Sequence, residues 1–171
     1  MDDSKKLVRK AQYGDKDAFV ELMRMYKNTM SKAALAILGN EDDAADAIQD
    51  AYLACFRNIH KLKKVNYFKT WLIRILINKC YDIRKKNSRY VSFSELSEPM
   101  YHERAIDEIE DDILAELGEN YSLILNLYYV SGFSAKEIAV MLKMNENTVR
   151  TRLSRGRDKL NERFKSRLEN A

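Results

Sequence analysis

Residues 133 to 160 read FSAKEIAVMLKMNENTVRTRLSRGRDKL, and the fold turns on this stretch. Ser134 followed three residues later by Glu137 is the signature of a capping box, in which each side chain satisfies an orphan amide at a helix start. The helix it opens buries Ile138, Ala139 and Leu142. After the brief turn Lys143-Met144-Asn145, Asn145 caps a second helix. At about 100° per residue, Val149, Leu153, Gly156, Leu160 and Phe164 of that helix fall within an arc of roughly 80°, which is its buried seam. Arg150, Thr151, Ser154, Arg155 and Asp158 spread over the opposite side, at roughly 100° to 240° from Val149. Two short helices and a tight turn make a helix-turn-helix, a motif that sets its second helix in the major groove of DNA. Arginine there donates paired bonds to guanine or a charged bond to phosphate, while Thr and Ser approach bases or backbone closely. Thr148, Arg150, Thr151, Ser154 and Arg155 are the residues expected to read duplex DNA.

Composition sets the frame around that motif. The chain has 171 residues, 46% of them apolar, with one Pro (Pro99) and five Gly. Breakers this sparse, among abundant Leu, Ala, Lys, Glu and Arg, predict an all-α protein, long enough for two small helical domains. Cys55 and Cys80 form no CxxC pair and have no His at a zinc spacing, so they are expected as free, buried thiols in a reducing compartment. The longest apolar run, AALAIL at 33–38, is too short to cross a bilayer, and the start, MDDSKKLVRK, is polar. A soluble cytoplasmic protein with no membrane insertion is expected.

The net charge of +4 is unevenly spread. Residues 1–89 hold 19 Lys and Arg against 11 Asp and Glu, residues 90–122 hold 1 against 10, and residues 123–171 hold 10 against 5. Two basic blocks flanking an acidic one suggest two polyanion-binding modules joined by a segment that avoids or mimics nucleic acid. Three parts follow: a domain over 1–88, an acidic linker over 89–108 containing Pro99, and a helix-turn-helix domain over 109–171. Within the first, Phe19, Leu22, Met23, Tyr26, Met30, Ala33, Ala34 and Ile37 predict an amphipathic helix over 17–38, stopped by Gly39 and Asn40. A second helix runs from about Asp42 to Phe56 with acidic residues in its first turn, where the helix dipole favours them. After the basic HKLKKVN comes YFKTWLIRILINKCYDIRKK, apolar on nearly every side and so buried in its middle.

These motifs together resemble a known family. EIAVMLKMNENTVRTRLSRGRDKL is similar to the region-four helix-turn-helix of bacterial sigma factors, particularly the extracytoplasmic function (ECF) group. Glu137, Ile138, Ala139, Thr148, Val149, Arg150, Arg152, Leu153, Arg155, Arg157 and Leu160 match its pattern. Thr151 stands where Ser is frequent and Gly156 where Ala is usual; the Gly should loosen the helix by up to about 1 kcal/mol without touching the DNA face. DDAADAIQDAYLACFRN resembles the region-two helix through Asp43, Asp46, Gln49, Asp50, Phe56 and Arg57, with Ala45 and Tyr52 departing from the usual Glu and Phe. Phe68, Thr70, Trp71, Leu72, Arg74, Ile75 and Asn78 match the stretch that follows.

The resemblance implies that region two binds core RNA polymerase and opens the minus-ten element, while region four reads the minus-thirty-five element. Holding an opened strand takes aromatics that stack on bases and cations that follow phosphates. Lys64, Asn66, Tyr67, Phe68, Lys69, Trp71 and Arg74 are the expected minus-ten residues, with core packing the favoured role for Phe68 and Trp71, and Tyr67 and the lysines the better candidates for direct contact. Asp46, Gln49, Asp50 and Leu53, at i, i+3, i+4 and i+7, form an acidic and amide face for a partner's basic helix. By resemblance that partner is the coiled coil of the polymerase beta-prime subunit. The implied partners are core RNA polymerase through its beta-prime and beta subunits, promoter DNA and an anti-sigma factor. The acidic stretch Glu95 to Glu119 is expected near the RNA exit path, imitating the nucleic acid that displaces it. No cofactor, metal or catalytic residue is expected, since His60 and His102 are isolated and DEIEDD at 107–112 reads as a linker and helix start. A stand-alone helix-turn-helix regulator is the alternative, though the chain has no evident heptad dimer helix or ligand domain.

Overall fold

In the computed structural model the described residues are 3–91 and 119–169, side chains excepted at 88–91, 119–120, 163–164 and 166–169. Residues 92–108 of the expected linker, the 107–112 cluster, His102 and the Phe164 side chain lie outside the described residues. All described elements are helical, and the chain divides into two compact units, Met1–Arg84 and Lys85–Ala171.

The first unit opens with α1 (Asp3–Gln12), whose buried stripe is only Val8 and Ala11. α2 (Lys16–Leu38) starts where the Asp15 carboxylate accepts the Ala18 amide at 2.9 Å. It stops at Gly39, which takes φ 70° and returns its own amide to the Leu35 carbonyl, a left-handed cap that a Cβ would oppose. α3 (Glu41–Asn58) is capped by Asn40, which accepts the Asp43 amide at 2.8 Å, and its first turn carries Glu41, Asp42 and Asp43. Ala44, Ala47, Ala51 and Cys55 form its buried stripe; such small side chains let neighbouring helices pack closely. Two 3₁₀ turns, Ile59–Lys61 and Val65–Tyr67, lead to α4 (Phe68–Val91), which continues into the first residues assigned to the linker. Leu72, Ile73, Leu76, Ile77 and Cys80 of α4 are all at most 1% exposed, so its middle is buried as its composition predicts. Full burial of each large aliphatic chain stabilises the unit by about 1.5–3 kcal/mol.

In the second unit α5 (Glu119–Leu125) runs into a π-helical turn at Asn126–Val130, followed by α6 (Ala135–Leu142) and α7 (Glu146–Glu169). Leu123, Ile124, Leu125, Leu127, Phe133, Ile138, Met141 and Val149 make its core.

Candidate nucleic-acid interface

The α6-turn-α7 unit is assembled by its own polar side chains. Ser134 Oγ accepts the Glu137 amide at 3.3 Å, and Glu137 Oε2 accepts the Ser134 amide at 2.9 Å, which completes the capping box. Lys143 turns the chain at φ 54°, a conformation that costs an ordinary residue roughly 1–2 kcal/mol. Asn145 Oδ1 accepts the Asn147 amide at 2.8 Å and opens α7. Val149, Leu153 and Gly156 are buried along the expected seam, while Leu160 is half-buried. One core position differs from expectation: Met141 is buried and Leu142, the last residue of α6, is only half-buried. Gly156 also has a different role from a loosened helix, because a Cβ there would stand 2.9 Å from Leu125 Cδ1. The glycine lets α7 approach α5 closely.

Thr148, Arg150, Thr151, Ser154 and Arg155 are all exposed on α7. Two of them are already engaged. Arg150 Nη2 and Nε donate to Glu146 Oε1 at 2.7 and 3.0 Å, so this basic face carries a carboxylate partner at i−4. Such an exposed pair contributes only about 0.3–0.5 kcal/mol, so the guanidinium exchanges it readily for a stronger acceptor. Thr151 Oγ1 donates to the Asn147 carbonyl at 2.9 Å, which ties up its proton and leaves oxygen lone pairs outward. Arg152 is half-buried, with Nη1 3.7 Å from Met144 Sδ, and lies back against the turn.

In the first unit the basic segment between α3 and α4 carries His60, Lys61, Lys63, Lys64 and Asn66, all exposed, and ends in Tyr67 at 55% exposure. Phe68 is 2% exposed, its ring 5.6 Å from that of Tyr26 and 6.0 Å from that of Trp71. Its expected place among strand-contacting residues is corrected: as the first residue of α4 it is drawn into the core. Trp71 is half-buried and Arg74 exposed. On the α4 wheel Trp71, Arg74 and Asn78 fall within roughly 60° of one another, just beyond Tyr67 at the end of the preceding 3₁₀ turn, whereas Lys69 lies about 160° from Trp71. A phenol, an indole, a guanidinium and an amide therefore share one line, and half-buried Lys69 is not brought to it.

Gln12, a residue absent from the sequence reading, holds this segment in place. Its Nε2 donates to the Ile59 carbonyl at 3.0 Å and to the Leu62 carbonyl at 2.8 Å. The signal available in sequence is its place one residue beyond Val8 and Ala11, the buried side of an amphipathic α1; which carbonyls it meets is set by packing. On α3, Asp46, Gln49, Asp50 and Leu53 are all exposed on one face, Leu53 at 50%. Behind them, Cys55 and Cys80 are buried free thiols, each pushed up to about 12 by desolvation; such thiols are inert packing groups.

Family models match both halves of the chain: sigma-70 region 2 over residues 22–90 and sigma-70 region 4 over residues 108–160. The ECF RNA polymerase sigma factor SigW of Bacillus subtilis is 29% identical over 180 aligned positions, covering 94% of this chain and 96% of that one. The ECF RNA polymerase sigma-E factor of Haemophilus influenzae is 26% identical over 171, covering 89% and 90%.

The chain belongs to the ECF group of sigma-70 factors.

Solved structures share the fold. The sigma factor RpoE from Bartonella quintana, solved with the anti-sigma factor NepR, aligns at TM-score 0.72 and 22% identity over 86% of this chain and 96% of that one. CnrH, solved with the cytosolic domain of CnrY, aligns at 0.69 and 23% over 96% and 99%. A region-two match upstream of the helix-turn-helix favours a sigma factor over a stand-alone regulator. Among the described residues no helix of this sigma factor is long and apolar enough to cross a membrane, and no cluster of His, Cys, Asp and Glu is arranged to hold a metal ion.

Proposed function

We propose that this sigma factor binds core RNA polymerase in the cytoplasm and directs promoter-specific initiation, supplying specificity and no covalent chemistry of its own. The observation that carries the reading is the order of its parts: region two over 22–90 and region four over 108–160 in one chain. In this reading the exposed face of Asp46, Gln49, Asp50 and Leu53 docks on the beta-prime coiled coil. Lys64, Asn66, Tyr67, Trp71 and Arg74 hold the opened minus-ten strand, with Phe68 supporting them from the core. Thr148, Arg150, Thr151, Ser154 and Arg155 read the minus-thirty-five duplex, and two modest contacts on one polymerase multiply into specificity. An anti-sigma factor that covers these faces is the regulator this reading implies.

Transcription from a randomised promoter library, by bacterial core polymerase with and without the purified chain, tests the proposal. New start sites that share two spaced motifs support it. Duplex binding by the chain alone, with no new starts, would move the function to a stand-alone regulator.

A further inference from the structure

α1 precedes the part of the chain that the region-two model matches, which begins at residue 22. Yet its last residue makes the bonds that shape the basic segment. Gln12 reaches across 47 and 50 positions of sequence to the carbonyls of Ile59 and Leu62. Those carbonyls lie where α3 ends and the 3₁₀ turn Ile59–Lys61 closes; Ile59 O also accepts the Leu62 amide at 3.1 Å. A helix end leaves carbonyls without intrahelical donors, and Gln is suited to such a place because one amide nitrogen carries two donor hydrogens. Both bonds are partly buried, which shields them from competing water. Downstream of the clamp stand Lys63, Lys64, Asn66 and Tyr67, all exposed. Their backbone leaves Leu62 in a direction that the clamp sets.

We infer that Gln12 is a positioning residue for strand capture: it fixes the turn 59–62 so that Lys64 to Tyr67 meet the opened strand already arranged. This inference rests on the minus-ten reading above. Preorganisation lowers the ordering cost of binding, so loss of the clamp weakens the strand complex without removing any group that touches the strand. Since the clamp joins α1 to the turn and not to α3's exposed face, binding to polymerase is spared.

The test uses the full chain assembled with core polymerase, and a fluorescent single-stranded oligonucleotide carrying the non-template minus-ten strand of a promoter selected by the wild-type chain. Gln12→Met keeps the length of the side chain and removes both donors; Gln12→Glu sets acceptor against acceptor. The inference expects roughly tenfold weaker strand binding for Gln12→Met, the equivalent of about one net hydrogen bond, and a larger loss for Gln12→Glu. Polymerase affinity should hold, and the melting midpoint of region two should fall only by the few degrees that two partly buried hydrogen bonds account for. Faster hydrogen exchange at the amides of Leu62 to Lys64 is the companion signature. Wild-type strand affinity in Gln12→Met overturns the inference, as does a fall in polymerase binding that matches the fall in strand binding, which would make Gln12 a general structural residue. Failure of the wild-type complex itself to hold the strand instead removes the minus-ten reading, and is recognised before any variant is made.

Discussion

Region two and region four both present cations and hydrogen-bonding side chains to solvent, but on different supports. In region four they ride on α7, an uninterrupted helix from Glu146 to Glu169. About half a helical turn separates the seam of Val149 and Leu153 from the face of Arg150, Ser154 and Arg155. In region two Lys61 sits in a 3₁₀ turn, and Lys63 and Lys64 sit in the link to a second one; the carbonyls of Ile59 and Leu62 at the first turn are bonded by Gln12 of another helix. A helix carries its own geometry in its backbone bonds, whereas a turn this short borrows geometry from whatever satisfies its carbonyls.

The sharpest test of this contrast exchanges core and surface. Phe68→Ala should destabilise region two by about 3–5 kcal/mol, and Leu153→Ala should destabilise region four by about 2–5 kcal/mol. Segment-resolved hydrogen exchange on the full chain reads each loss separately. If Phe68→Ala abolished strand capture while region two kept its protection, Phe68 would be a contact residue after all, and the core assignment would fail.

Alkaline stability separates the two regions next. Cys55 and Cys80, both in region two, have thiols raised from 9.0 to about 12 by burial. Between those values the folded state keeps protons that the unfolded state has lost, so stability falls as pH rises above 9. The slope is at most about 1.4 kcal/mol per pH unit for each thiol. Denaturant titrations from pH 8 to 10.5 should show region two weakening, with Cys55→Ala and Cys80→Ala flattening the trend. Region four contains no cysteine and should not follow.

Arg155→Ala should cost about 1–3 kcal/mol of minus-thirty-five affinity with little change in melting; a matching fall in melting would place Arg155 in the fold instead. Gly156→Ala sets a helix-propensity gain of up to about 1 kcal/mol against overpacking of Leu125, about 1–3 kcal/mol. A net loss near 1 kcal/mol is expected, and combination with Leu125→Val should be less harmful than the sum of the two, a coupling that a double-mutant cycle measures. Smallest of all, Glu146→Ala should remove only about 0.3–0.5 kcal/mol of stability. By releasing Arg150 it should modestly strengthen duplex binding, seen as a lower dissociation constant at low salt.

Much of the candidate site was legible because it is periodic. The capping box at Ser134, the Asn145 cap, the seam of α7 and the exposed stripe of α3 all follow from residue types at helical spacing, and the structure has each of them. The differences have separate causes. The family stretch that brings Tyr67 also brings Phe68 and Lys69 among the minus-ten residues, but at about 100° per residue neighbours face different directions, and Phe68 packs inward against Tyr26, the core role already favoured for it. The pairing of Arg150 with Glu146 was readable at i−4 and was passed over. α1 is amphipathic, with Val8 and Ala11 buried and Lys6, Arg9 and Lys10 exposed, but a polar chain start weighed only for a signal segment hides it.

By itself the sequence determined the helical class, the order of the two regions, the caps that start and stop their helices, and the side of α7 that faces outward. These are local properties: a cap, a period or a breaker acts within a few residues of chain. Only the tertiary structure decided that Gln12 clamps the turn before Lys64, that Gly156 makes room for Leu125, and that Phe68 packs against Tyr26. Each of those joins residues about 30 to 50 positions apart, and which distant atoms meet is set by how the helices pack, which no local pattern records.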